Sequence, residues 1–131
     1  MAQAARRRYP APMAFTVSIH HNPGCLLLAC AGSARPEDLY GVMALAGEVT
    51  LRAGYDRLLL DLLGAESRMP ITLRTGLGMF AAQKLSAVHR LAIALPPEQY
   101  TGLAERMAQS AALQVQVFQD LPSATAWVMG A

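Results

Sequence analysis

From Ala14 to His20 the chain alternates, with Phe15, Val17 and Ile19 on one side, the two-residue period of a half-buried strand. Asn22-Pro23-Gly24 is turn chemistry, because proline presets φ and glycine accepts a positive φ. The run Cys25 to Ala31 is apolar at every position, as expected of a central strand covered on both sides. These two segments predict an antiparallel hairpin. Gly32-Ser33 ends it, and Pro36-Glu37-Asp38 opens a helix, since proline suits the first helical position and acids suit the positive end of the dipole. Leu39, Val42, Met43, Ala46 and Val49 form the inward stripe of that helix, and Gly54 its cap.

Leu58 to Leu62 reads as a third strand, apolar apart from Asp61, followed by a loop from Leu63 to Pro70. A helix from about Leu73 to Ala87 follows, with Leu73, Leu77, Phe80, Ala81, Leu85 and Val88 expected inward. Gly76 and Gly78 weaken it by roughly 1 kcal/mol each relative to alanine. Leu91 to Leu95 is a fourth strand, and Pro96-Pro97 breaks it. A helix through Tyr100, Leu103, Met107 and Ala111 comes next, then a strand at Val115 to Phe118 and a last helix carrying Trp127. Gln114 and Gln116 alternate with Val115 and Val117, which suits an edge strand. Strands alternating with helices in this way predict an α/β fold with parallel pairs joined by crossovers. The expected sheet is mixed, about five-stranded, with an N-terminal antiparallel hairpin and four helices.

The chain of 131 residues has room for one core, and its 53% hydrophobic and 15% charged residues make it more apolar than an ordinary soluble domain. An apolar excess of this kind predicts both a sheet buried on two faces and a homodimer that covers the surplus. Residues 1–13 read as a disordered leader, with Met13 an alternative start, and residues 14–131 as a single domain. Of the 11 Lys and Arg, three are Arg6, Arg7 and Arg8; the other eight face 9 acids, so the body is near −1. That balance argues against a nucleic-acid surface. The longest apolar run, Cys25 to Ala31, is far short of the roughly 20 residues of a membrane span. His20 through Gly24 interrupt what would otherwise resemble an export signal, so the expected location is the cytoplasm. Cys25 and Cys30 lie five apart on one strand, point to opposite faces, and read as buried free thiols.

Arg57-Leu58-Leu59-Leu60-Asp61-Leu62, Arg90-Leu91-Ala92-Ile93-Ala94-Leu95-Pro96 and the stretch from Val117 through Asp120-Leu121-Pro122 to Trp127-Val128 are a set of apolar strands and helix starts. In this order the chain resembles the anti-sigma-factor antagonist or STAS fold, also called SpoIIAA-like, and in particular its small stand-alone bacterial members of unassigned function. The resemblance covers Phe15 to Val128. It implies a regulatory module that works through protein partners. In regulatory members the second helix opens with Asp-Ser-Ser-Gly, whose second serine is phosphorylated. Here Leu73-Arg74-Thr75-Gly76 stands in that place, so the resemblance offers Thr75 as the phosphoacceptor, although Leu73 replaces the Asp and Arg74 the first Ser. The alternative is a threonine serving the start of a helix.

Ligands of open α/β sheets bind beyond the carboxyl ends of the strands. That rim is expected to carry Gly32, Ser33, Asp61, Glu66, Ser67, Pro96, Glu98 and Asp120. Asp61 with Glu66 is a candidate acid pair or hard-metal site, against the simpler role of an aspartate bonding its neighbouring loop. No histidine falls beside a serine or cysteine: His89 is expected at the opposite end from Ser67, and His20 and His21 at a hairpin tip. His20, His21 and Cys25 lack a fourth ligand. Neither a phosphate loop nor a dinucleotide fingerprint is present. The expectation is a non-catalytic protein without a cofactor or metal. It binds a protein partner through the Leu63–Thr75 loop, with Asp61, Glu66, Ser67 and Arg68 as contact residues. The alternative is a carrier of a small apolar ligand or lipid, held among residues such as Met43, Met69, Met79, Phe80, Tyr100 and Met107.

Overall fold

The structure, a computed structural model, describes residues 14–67, 70–99 and 113–130. The expected leader, Arg68, Met69 and the expected helix through Tyr100 and Met107 lie outside them. Five strands form one sheet in the order β1-β2-β3-β4-β5: Thr16–Asn22, Cys25–Ala34, Arg57–Ser67, Arg90–Ala94 and Gln114–Phe118. β1 pairs antiparallel with β2, and every later pair is parallel. Among the described residues the helices are α1, Pro36–Ala53, α2, Ile71–Lys84, and α3, Leu121–Met129, with a 3-10 turn at Pro97–Gln99. The hairpin, the mixed sheet and the edge position of β5 agree with the alternation in the sequence. The centre of the sheet is β3, with β2 one place nearer the edge.

Strand alternation sends side chains to two cores. On one face Leu26, Leu28 and Cys30 of β2, Leu58 and Leu60 of β3 and Leu91 and Ile93 of β4 meet α1 and α2. On the other, Cys25, Leu59, Ala92 and Ala94 meet Ala124 and Val128 of α3. Cys25 and Cys30 thus sit on opposite faces, both buried and unbridged. α1 begins at Pro36, turns its expected stripe inward and ends at Gly54. It crosses α2 at Gly47, where a side-chain Cβ would overlap the carbonyl of Lys84, so only glycine permits this approach. Gly32, with φ of +99°, lets the start of the hairpin pass equally close: a Cβ there would overlap the carbonyl of Ala14.

Three expectations are corrected. The segment Leu63–Ser67 is not loop but strand, because its backbone continues to pair with β2 through Gly32↔Ala65, Ser33↔Glu66 and Ala34↔Ser67. The register steps from Ala29↔Asp61 to Ala31↔Gly64, so one extra β3 residue is absorbed in a bulge. Such a break hides the strand's continuation from a period-two reading. α2 accordingly starts at Ile71, and Thr75 lies in its second turn rather than at its start. Leu73 is not inward but 45% exposed.

Candidate functional site

The carboxyl ends of β2, β3 and β4 open into a pocket on the α1–α2 face of the sheet. Its walls follow from the strand alternation just described. Ala34 closes β2, Leu62 and Ala65 flank the bulge in β3, and Ile93 and Leu95 come from β4 and its exit. Leu39 and Met43 of α1 and Leu77 of α2 complete an apolar lining, and the cavity is about 60 Å³. Three polar residues stand in its wall: Ser67, Arg74 and Gln99. The Arg74 guanidinium donates to the carbonyls of Gln99 and Ser67 at 3.4 and 3.5 Å, long bonds that tie α2 to both the end of β3 and the 3-10 turn.

The structure scatters the acid pair. Asp61 alternates with Leu60 and Leu62 and so projects on the α3 face, where its Oδ1 accepts from the backbone N–H of Leu63 at 3.1 Å. Glu66 is five residues further along an extended strand, about 16 Å away, exposed and paired with Ser33. The expectation that the two would share a site fails because β3 runs straight through the segment read as a loop. Ser67 alone among the expected contact residues lines the pocket, and Arg68 lies outside the described residues. Thr75 is half-buried. Of the methionines proposed for an apolar pocket, Met43 lines this one, whereas Met79 is 61% exposed and lines a separate groove with Tyr40 of α1 and Phe80; Met69 and Met107 lie outside the described residues.

Arg74 and Gln99 escaped sequence reading. Arg74 is the one cation in an otherwise uncharged stretch from Ile71 to Gln83, a signal that marks it in retrospect. Gln99 gave no signal, because its role depends on the 3-10 turn that brings its carbonyl to Arg74. Asp120, expected on the rim, caps α3: its carboxylate accepts from the N–H and the hydroxyl of Ser123 at 2.8 and 3.0 Å, and the backbone bond above all holds its pKa below the usual carboxylate range.

Elsewhere two of the histidines have structural partners. His21 Nδ1 is 2.9 Å from the Tyr55 hydroxyl at the hairpin tip, and His89 is 3.9 Å from Asp56 at the amino end of the sheet. Among the described residues no three histidine, cysteine or acidic side chains gather to hold a metal. None of the described helices is long and apolar enough to cross a membrane.

No protein-family model and no curated protein matches the sequence. Solved structures do. An uncharacterised protein of the DUF3478 family from Shewanella loihica, with a SpoIIAA-like fold, superposes with a TM-score of 0.54 at 19% identity, over 87% of this chain and 93% of that one. An anti-sigma factor antagonist from Mycobacterium paratuberculosis superposes with a TM-score of 0.61 at 12% identity, over 91% of this chain and 97% of that one. The hairpin, the parallel strands that follow it and these two likenesses give the chain a SpoIIAA-like, or STAS, fold.

Proposed function

We propose that this chain is a non-catalytic, cytoplasmic binding module that takes a protein partner at the carboxyl-end rim of its sheet. The observation that carries the reading is the size and lining of the rim pocket. At about 60 Å³ it accepts an apolar side chain presented by a partner. Pockets for whole small-molecule ligands measure about 300–1,000 Å³, so a lipid chain exceeds this one several-fold. Leu62, Leu77 and Leu95 supply the desolvated centre of such a contact, and Ser67, Arg74 and Gln99 a polar rim. The structural likeness to an anti-sigma factor antagonist supports the same reading, since a protein so described acts on another protein.

The mostly apolar wall favours a second reading, a carrier of a small apolar ligand, and the pocket would then have to widen on loading. A phosphorylation switch at Thr75 is the weakest of the three, because a half-buried position in the second turn of α2 must become accessible before a kinase can reach it.

Leu95→Gln distinguishes the first two. It places a polar group of similar volume in the pocket wall at a half-buried position, so the fold should survive. Cross-linking in the host should join the parent to a protein that the variant, with an unchanged melting temperature, no longer captures. Equal capture by both would remove the pocket from the binding surface.

A further inference from the structure

We propose that the rim pocket reads the carboxyl terminus of its protein partner: a branched aliphatic last side chain fills the pocket, and the terminal carboxylate meets Arg74. This inference rests on the reading of the pocket as a docking site for a protein, and it names the part of the partner that enters.

The pocket grades from an apolar depth to a polar mouth. Leu39, Met43, Leu77 and Ile93 in its lining are buried, whereas Ser67, Arg74 and Gln99 are each half-buried and so reach solvent. A cavity of about 60 Å³ holds about four to six water-sized groups, which matches the four-carbon side chain of leucine or isoleucine. Arg74 precedes Leu77 by three residues on α2, so the cation and the apolar wall share one helix face, their Cβ atoms about 5–6 Å apart. The ligand must therefore bring an apolar group and a polar group to points that close. A chain's last residue does so, because its side chain and its carboxylate leave the same Cα. In an internal stretch the charge and the apolar group sit on different residues.

Charge sets the sign of the ligand. Among the described residues that line the pocket, Arg74 is the one charged group. Glu66 alternates with Ala65 and Ser67 and so projects to the opposite face of the sheet, as Asp61 does, while Glu98 is exposed and outside the lining. Arg74 is engaged, but its bonds to the carbonyls of Gln99 and Ser67 measure 3.4 and 3.5 Å, beyond the usual range. A carboxylate takes a guanidinium in two parallel, charge-assisted bonds of about 2.7–2.9 Å, so it competes for the same N–H groups.

The test titrates the full, isotope-enriched chain with the peptide Gly-Ser-Gly-Ser-Gly-Val-Leu carrying a free carboxyl terminus, and in parallel with its carboxamide. Each is taken to about 5 mM, so that affinities near 1 mM are read. The acid should shift the backbone amides of Leu62, Leu77 and Leu95 and the Nε–H of Arg74, and the carboxamide should bind at least about tenfold more weakly. Replacing the last leucine of the peptide by serine should abolish binding of the acid. Arg74→Gln should bring the acid down to the affinity of the carboxamide, and Arg74→Lys should restore part of the difference. Because Arg74 also ties α2 to the end of β3, the ratio of acid to carboxamide in the parent decides the question if Arg74→Gln fails to fold. Equal binding of acid and carboxamide overturns the proposal, as does an acid peptide that leaves the pocket signals unmoved. Isocaproate, the same terminus without its peptide, should bind more weakly than the acid peptide. Equal binding would assign the pocket to a free carboxylic acid and overturn the proposal. None of these results touches capture of the partner in the host, which Leu95→Gln tests separately.

Discussion

At Asp120 a single carboxylate satisfies both the N–H and the hydroxyl of Ser123 and so fixes the start of α3. Its pKa is held below the ordinary carboxylate range, so its contribution is present above that range and is lost as pH falls through the folded value. Asp120→Ala should therefore lower the melting temperature at pH 7, by an amount that shrinks below about pH 4. A pH-independent difference would contradict the assignment. Burial, with a smaller push from the Asp61 carboxylate, raises the Cys30 thiol to about 11, and burial also raises Cys25 against the pull of Arg57. Both thiols should stay protonated at neutral pH and react with a thiol reagent only once the protein is denatured. Rapid reaction of either in the native protein would place it at the surface. The sequence announced the opposite faces of these cysteines through strand parity, and it offered the Asp61 turn bond as one of two readings. It did not announce that Arg74 would tie three elements together, because neither carbonyl partner carries a side-chain signature.

α3 owes its place to residues at both of its ends. Val128 and Ala124 bury its inner face, while Arg57 donates to the carbonyls of Val128 and Gly130, and Arg90 to those of Trp127 and Gly130. These two cations, neighbours in the β3–β4 register, also answer the negative end of the helix dipole. Arg57→Ala and Arg90→Ala should each cost about 1.5–3 kcal/mol, the range for hydrogen bonds from a charged donor. The double variant should depart from additivity because both donors share Gly130. Independent effects in a denaturation cycle would contradict that coupling. Trp127 is half-buried, its ring 5.9 Å from that of Phe118 and 5.0 Å from the Arg90 guanidinium, so Trp127→Ala should cost about 2 kcal/mol, less than a fully buried indole. Gly47→Ala should cost about 1–3 kcal/mol, since the Lys84 backbone must move away. Helix order and inward stripes were legible in these elements because burial there follows one period. The far half of β3 was not, since a bulge resets its period and Gly64-Ala65-Glu66-Ser67 carries the small and polar residues of a loop.

On the scale of the whole molecule, apolar surface remains after both cores are filled: Leu73 and Met79 on α2 and Leu45 and Leu51 on α1 are exposed. We propose that a homodimer covers part of it, and sedimentation at tens of micromolar, an order-of-magnitude working range, should show a dimer rather than a monomer. Replacing Glu66, Ser67 and Arg68 together by alanine should keep the bond from Arg74 to the end of β3, because the backbone carbonyl of residue 67 receives it. It should also weaken capture of the partner at the rim. The fold was readable from the sequence, but the pocket arose from β3 continuing past its bulge and from the turn after β4, neither of which leaves a motif. Native mass spectrometry of the protein purified from its own host tests the central claim most directly. The account predicts a complex heavier than the chain or its dimer by the mass of a protein, and its loss in Leu95→Gln. An adduct of lipid mass on the parent that disappears in the same variant would contradict it.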